Sequence, residues 1–129
     1  MEYMRPKQTL VNSFRIAFSG LFHGLLKERN SKIQLTVAAV TLTVSIILGV
    51  SKLEMLVIVT ACFFVIILEL INTSIEKLLD VLYPNHHPEI GLVKDIMSGV
   101  VLLGALLSVV IGVIVLYQPA IEFIQRVLK

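Results

Sequence analysis

Apolar residues along the chain fall into one periodic stretch and three long runs. From Thr9 to Lys27, Leu10, Phe14, Ala17, Phe18, Leu21, Phe22 and Leu25 recur at helical spacing, with Asn12, Arg15, Ser19 and His23 on the other side. This predicts an amphipathic helix over 9–27. It lies in the membrane interface, packs on the rest of the protein from the cytosolic side, or does both. Gly20 and Gly24 are spaced for close helix contact. The polar segment Lys27-Glu28-Arg29-Asn30-Ser31-Lys32 fits either a turn or a continued helix. Residues 33–50 are free of charge and long enough, at about 18 residues, for a slightly short membrane span. Thr36, Thr41, Thr43 and Ser45 inside it can bond to their own backbone, and Gly49, Ser51 and Lys52 close it.

The next run follows after only a few residues, so the first two spans form an antiparallel hairpin. Its charge-free part, Met55 to Leu68, is too short to cross alone. The helix therefore continues over 55–80, past Glu69, Asn72, Glu76 and Asp80. Those four positions fall within a sector of about 80° on one helix face. Glu69 lies within the headgroup boundary, with Glu76 and Asp80 nearer water. Tyr83-Pro84-Asn85-His86-His87-Pro88 ends the helix, since two prolines in so short a stretch forbid regular helix. A loop is expected as far as Lys94-Asp95, then a third span over 96–117. Ser98, Ala105, Ser108 and Gly112 make a small-residue seam on that span. Residues 119–129 read as a short interfacial tail. The expected fold is all-α, a single membrane-embedded domain with three transmembrane helices after an amphipathic interfacial helix.

Composition reinforces the membrane reading. The chain of 129 residues is 57% hydrophobic and 16% charged, with a mean hydropathy of +0.92. A soluble core of this size could not hide so much apolar surface. The net charge of +2 and the lack of a dense basic patch with interleaved aromatics argue against nucleic acid. Cys62, the single cysteine, cannot form an intrachain disulfide and reads as a small apolar core residue. No signal peptide is visible.

Charge sets the orientation. Arg5, Lys7, Arg15, Lys27, Arg29, Lys32, Lys77 and Lys94 fall on one side, against Lys52, Arg126 and Lys129 on the other. By the positive-inside rule the N-terminus of this multi-pass chain is cytoplasmic. The acidic stripe then opens to the cytoplasm, with Glu28 at the same boundary.

An ionised side chain at a span's centre costs roughly 2.5–3.5 kcal/mol on insertion scales. Several acids on one stripe therefore suggest a site. Carboxylates and lysine at a water boundary suit a magnesium–phosphate site, because magnesium takes one or two carboxylates plus substrate phosphates. Phosphoryl transfer needs mainly positioning, charge neutralisation and a group near the attacking hydroxyl. Glu69, the deepest acid, sits where a lipid acceptor would present its hydroxyl. For Asn72, Thr73 or Ser74 singly, packing across a bundle is an equal alternative. For Glu69 with Glu76 it is the lesser one, because two buried anions need a counter-charge or metal. His86 and His87 read first as solvated loop residues, since no second ligand lies at a zinc spacing. Lys94-Asp95 are ordinary interface charges unless the stripe binds nucleotide. No Walker or kinase glycine loop is present. The stripe alone would also fit an ion carrier.

The run Glu69-Leu70-Ile71-Asn72-Thr73-Ser74-Ile75-Glu76-Lys77-Leu78-Leu79-Asp80, with Lys94-Asp95 after it and Lys27-Glu28-Arg29-Asn30 before the first span, resembles the signature of the prokaryotic diacylglycerol kinase family. The resemblance covers about Ser13 to Tyr117, and the Glu-Arg-Asn form is similar to the Gram-positive branch, whose members commonly phosphorylate undecaprenol. It implies a homotrimeric bundle with active sites shared between subunits, MgATP as donor, and a membrane lipid alcohol, undecaprenol or diacylglycerol, as acceptor. By position, Glu69 is then the catalytic base and contacts lipid with Ser98. Glu28 and Glu76 hold Mg2+ on the ATP phosphates. Asn72 and Asp80 line the polar site, and Lys94 and Asp95 the nucleotide. His87 matches a family histidine in the nucleotide loop. Asn85-His86 stand where relatives often have Glu-Tyr, at the adenine end of the pocket. The alternative from another class is a non-enzymatic membrane protein such as an ion-carrier subunit.

Overall fold

A computed structural model of the chain describes residues 9–85 and 87–129, and among them the only regular elements are four helices: α1 (Leu10–Lys27), α2 (Arg29–Leu48), α3 (Lys52–Leu82) and α4 (Pro88–Val127). α2, α3 and α4 are each long and apolar enough to cross a membrane. α3 is central and packs against the other three.

The boundaries follow from local chemistry. The Thr9 side chain caps α1, accepting from the Asn12 N–H at 3.4 Å. Glu28 alone is extended (φ −86°, ψ 136°) and separates α1 from α2. The polar junction is thus a one-residue break, and α2 begins earlier than the charge-free run. Thr36, Thr43 and Ser45 each donate to the carbonyl four residues back, at 2.8–2.9 Å, so no hydroxyl among them faces hydrocarbon unpaired. Gly49 ends α2 at φ 69°, a left-handed conformation that only glycine adopts without strain. Ser51 and Glu54 form a reciprocal capping box that starts α3.

α4 departs from the sequence reading at both ends. It starts at Pro88, not near Ile96, so the loop is short and Lys94 and Asp95 are helical. Proline suits a first helical position, where its missing N–H has no bond to lose. At the other end the helix runs through Pro119 to Val127, and no separate tail forms. The Gln118 amide donates to Glu122 Oε1 at 3.0 Å and ties the turn across the proline. At 40 residues, α4 is about 60 Å long, well beyond the hydrocarbon thickness.

Within one chain the apolar core is small: Ala38, Ile58, Ala61, Val65 and Val101. Large apolar residues on all four helices stay exposed on the isolated chain. α3 and α4 meet where Gly104 leaves no room for a Cβ against Leu68, and Ser108 Oγ donates to the Ala61 carbonyl at 3.2 Å. Gly104, outside the expected seam, makes the tightest approach; Gly112 has nothing within 4 Å of a Cβ. α1 meets α3 at Gly24, whose Cβ would lie 2.7 Å from Leu70 Cδ2. The leucines on either side of Glu69 thus fit against glycines of two different helices.

Candidate active site

The stripe on α3 is graded in depth. Glu69 and Asn72 are each 3% exposed although no other chain covers them. Glu76 is half-buried and Asp80 exposed. The i, i+4 spacing brings Asn72 Nδ2 to Glu76 Oε1, a 3.1 Å hydrogen bond. Asn72 Oδ1 stays buried without a partner. The bond to the carboxylate fixes the amide's orientation, because Glu76 requires a donor.

Two ion pairs tie neighbouring segments to this face. Lys77 Nζ lies 2.8 Å from Glu28 Oε1, linking α3 to the α1–α2 break. That hydrogen bond, and the positive charge behind it, hold the Glu28 carboxyl below the usual carboxylate range. Lys94 Nζ donates to Asp80 Oδ1 and links α4 to α3. One turn along α4, Ser98 Oγ donates to the Lys94 carbonyl at 3.1 Å.

Glu69 and Ser98 line one cavity of about 210 Å³, with Asn30 and Gln34 of α2. Gln34 was not singled out by sequence, and Asn30 entered only as part of the Lys27-Glu28-Arg29-Asn30 segment, without a role of its own. Their i, i+4 spacing at the start of the first span was the available signal, and it is weak without knowledge of what faces them. An apolar cavity of about 670 Å³ between α2, α3 and α4 shares Ile33, Gln34 and Ala105 with the first. Half-buried Cys62 lines it.

The remaining candidates sit at the edge. Asn85 and His87 are exposed in the α3–α4 turn, where His87 is the residue before α4. His86 lies outside the described residues. Asp95 is exposed, and no described residue forms a salt bridge with it. Glu28, Glu69, Asn72, Glu76, Lys77, Asp80, Lys94 and Ser98 therefore converge at one end of the bundle; Asn85, His87 and Asp95 border it. Among the described residues no three His, Cys, Asp or Glu side chains group closely enough to hold a metal by themselves.

Helices long enough to span, with carboxylates, an amide and lysines gathered where three of them meet, define an all-helical membrane protein with a polar site at one end of its bundle. Residues 15–116 match the family described as prokaryotic diacylglycerol kinase. The chain belongs to that family. It is 30% identical over 103 residues to the undecaprenol kinase of Bacillus subtilis, covering 80% of this chain and 84% of the relative. A diacylglycerol kinase of Synechocystis sp. is 29% identical over 114 residues, covering 88% of this chain but 65% of the relative, so the chain spans just under two thirds of that protein. A diacylglycerol kinase of Haemophilus influenzae is 26% identical over 86 residues, covering 67% of this chain and 73% of the relative. The family and these relatives are lipid kinases by name, and the non-enzymatic alternative is set aside.

Proposed function

We propose that this protein transfers the γ-phosphate of ATP, with Mg2+, to the hydroxyl of a membrane lipid alcohol, undecaprenol or diacylglycerol, at the cytoplasmic face of the inner membrane. One observation carries the reading: a carboxylate buried within a single chain, Glu69, lines with Ser98, Asn30 and Gln34 a small cavity of mixed character that borders an apolar one. A lipid hydroxyl suits the polar part and its hydrocarbon the apolar part. Glu69 is the base that takes the hydroxyl proton, and Ser98 orients the acceptor.

The residues present fit magnesium. Glu28 and Glu76 are hard-oxygen donors, and the Asn72 amide holds Glu76 in place through Nδ2. With no three-residue cage among the described residues, the ion is shared between these carboxylates and the nucleotide phosphates. When bound, it neutralises charge on the phosphates. The Glu28 carboxyl, held below the usual range by Lys77, stays ionised for this role. Lys94 turns toward phosphate, with Asp80 fixing its reach. Asp95, Asn85 and His87 form the nucleotide's outer border.

The chain is read as one domain with its N-terminus cytoplasmic and α1 at the interface. It assembles as a homotrimer with shared active sites, on the family resemblance and on the exposed apolar faces of the single chain. Purified protein in mixed micelles, given ATP, Mg2+ and either undecaprenol or diacylglycerol side by side, tests the activity and selects the acceptor. Phosphorylation of neither lipid contradicts the proposal.

A further inference from the structure

Two buried side-chain atoms among the described residues have no hydrogen-bond partner: Asn72 Oδ1 and Ser31 Oγ. One can only accept and the other can donate. Ser31 is 1% exposed, among the most buried residues of the chain. Further along α2, Thr36 and Ser45 donate to the carbonyl four residues back. Ser31 stands in the first turn, where the residue four back, Lys27, lies across the Glu28 break, so its hydroxyl has no such carbonyl on its own helix.

Its position explains what it is kept for. α2 and α3 are antiparallel across the Gly49 turn. Measured from that turn at 1.5 Å per residue, Ser31 lies about 26 Å up α2 and Asn72 about 30 Å up α3, within one helical turn of the same level. Ser31, Ala38 and Ser45 are the buried residues of α2, spaced by seven; Ile58, Val65 and Asn72 repeat the spacing on α3. Asn30 and Gln34, on either side of Ser31, line the cavity that holds Glu69. The donor and the acceptor therefore lie on the buried stripes of two neighbouring helices, beside the site.

We infer that Ser31 is a positioning residue: its hydroxyl reaches Asn72 Oδ1 through one bridging water, which accepts from Ser31 and donates to the amide oxygen, and Asn72 in turn holds Glu76 for the metal-bound nucleotide. This rests on the lipid kinase reading. Asn72 has one amide to share, and its Nδ2 end already serves Glu76. A donor on the Oδ1 end fixes the amide plane and with it the carboxylate. Ser31 touches neither substrate nor metal; it acts through Asn72.

The test uses the full chain in mixed micelles with a non-hydrolysable ATP analogue, Mn2+ as probe, and the free Mn2+ spin-resonance signal as readout. Ser31→Ala is expected to weaken nucleotide-dependent Mn2+ binding about tenfold, the low end for loss of a ligand's outer partner. Ser31→Thr should stay within about twofold of the native chain, and Ser31→Val, of threonine's shape without the hydroxyl, should match alanine. With Mg2+, the metal needed for half-activity should rise while kcat at saturating metal holds. If Glu76→Gln loses Mn2+ while Ser31→Ala binds normally, or if threonine and valine behave alike, the Ser31 role is overturned and the kinase reading stands. If Glu76→Gln binds Mn2+ like the native chain, the metal site fails and the Ser31 role fails with it.

Discussion

Replacing Gly24 or Gly104 with alanine asks how Glu69 is held in place. The added methyl at Gly24 would sit 2.7 Å from Leu70 Cδ2, and that at Gly104 would collide with Leu68 Cδ1 and lie 3.5 Å from Phe64 Cε1. Overpacking of this kind costs about 1–3 kcal/mol. Alanine in a helix interior recovers about 1 kcal/mol relative to glycine. The net expectation is a destabilisation of about 0–2 kcal/mol at either site. Function should suffer more than stability. Leu68 and Leu70 flank Glu69, so each must swing or push its neighbour helix away, and the carboxylate moves with them. A 1 Å misplacement costs on the order of 10²-fold in rate, so a shift of a few tenths should cost about tenfold. Gly20→Ala is the internal comparison, because a Cβ there meets nothing within 4 Å. It should be neutral or stabilising by up to about 1 kcal/mol, with kcat unchanged. Denaturant unfolding in mixed micelles and initial rates measure both. If alanine at Gly24 and Gly104 behaves as it does at Gly20, the two leucines do not position Glu69.

Other expectations follow from the ion pairs and from Ser98. Lys77→Met removes the cation that holds Glu28 low. The contribution of a depressed carboxylate is complete above its usual range and is lost as pH falls through the lowered value. Without Lys77 that loss should come at higher pH, moving the acid limb of the activity profile upward; an unmoved limb would separate the pair from function. Asp80→Asn should raise the KM for MgATP several-fold with a smaller effect on kcat, since it frees Lys94 without touching the acceptor side; steady-state kinetics decide this. Ser98→Ala should raise the KM for the lipid more than that for MgATP, by roughly the two- to tenfold of a single hydrogen bond, when each substrate is varied separately.

Much of this fold could be read from the chain. The three apolar runs and the four polar positions on α3 follow directly from periodicity, because a helix in hydrocarbon keeps its polar residues for a reason. Proline misled that reading. Pro88 and Pro119 look like terminators, yet one sits where its missing N–H is harmless and the other is bridged by Gln118 and Glu122. The correction matters, because a helical Lys94 lies one turn from Ser98 and reaches Asp80. Ser31, Gln34 and Gly104 escaped because their meaning depends on the facing helix. A serine or glycine in an apolar run looks the same whether it lines a cavity, meets a leucine or faces lipid.

The most direct test of the central claim is phosphoryl transfer by Glu69→Gln in mixed micelles, with nucleotide binding measured on the same preparation. Loss of general-base catalysis predicts a fall in kcat of about 10²–10⁴-fold, with binding of the ATP analogue retained. Turnover at the native rate would contradict the account.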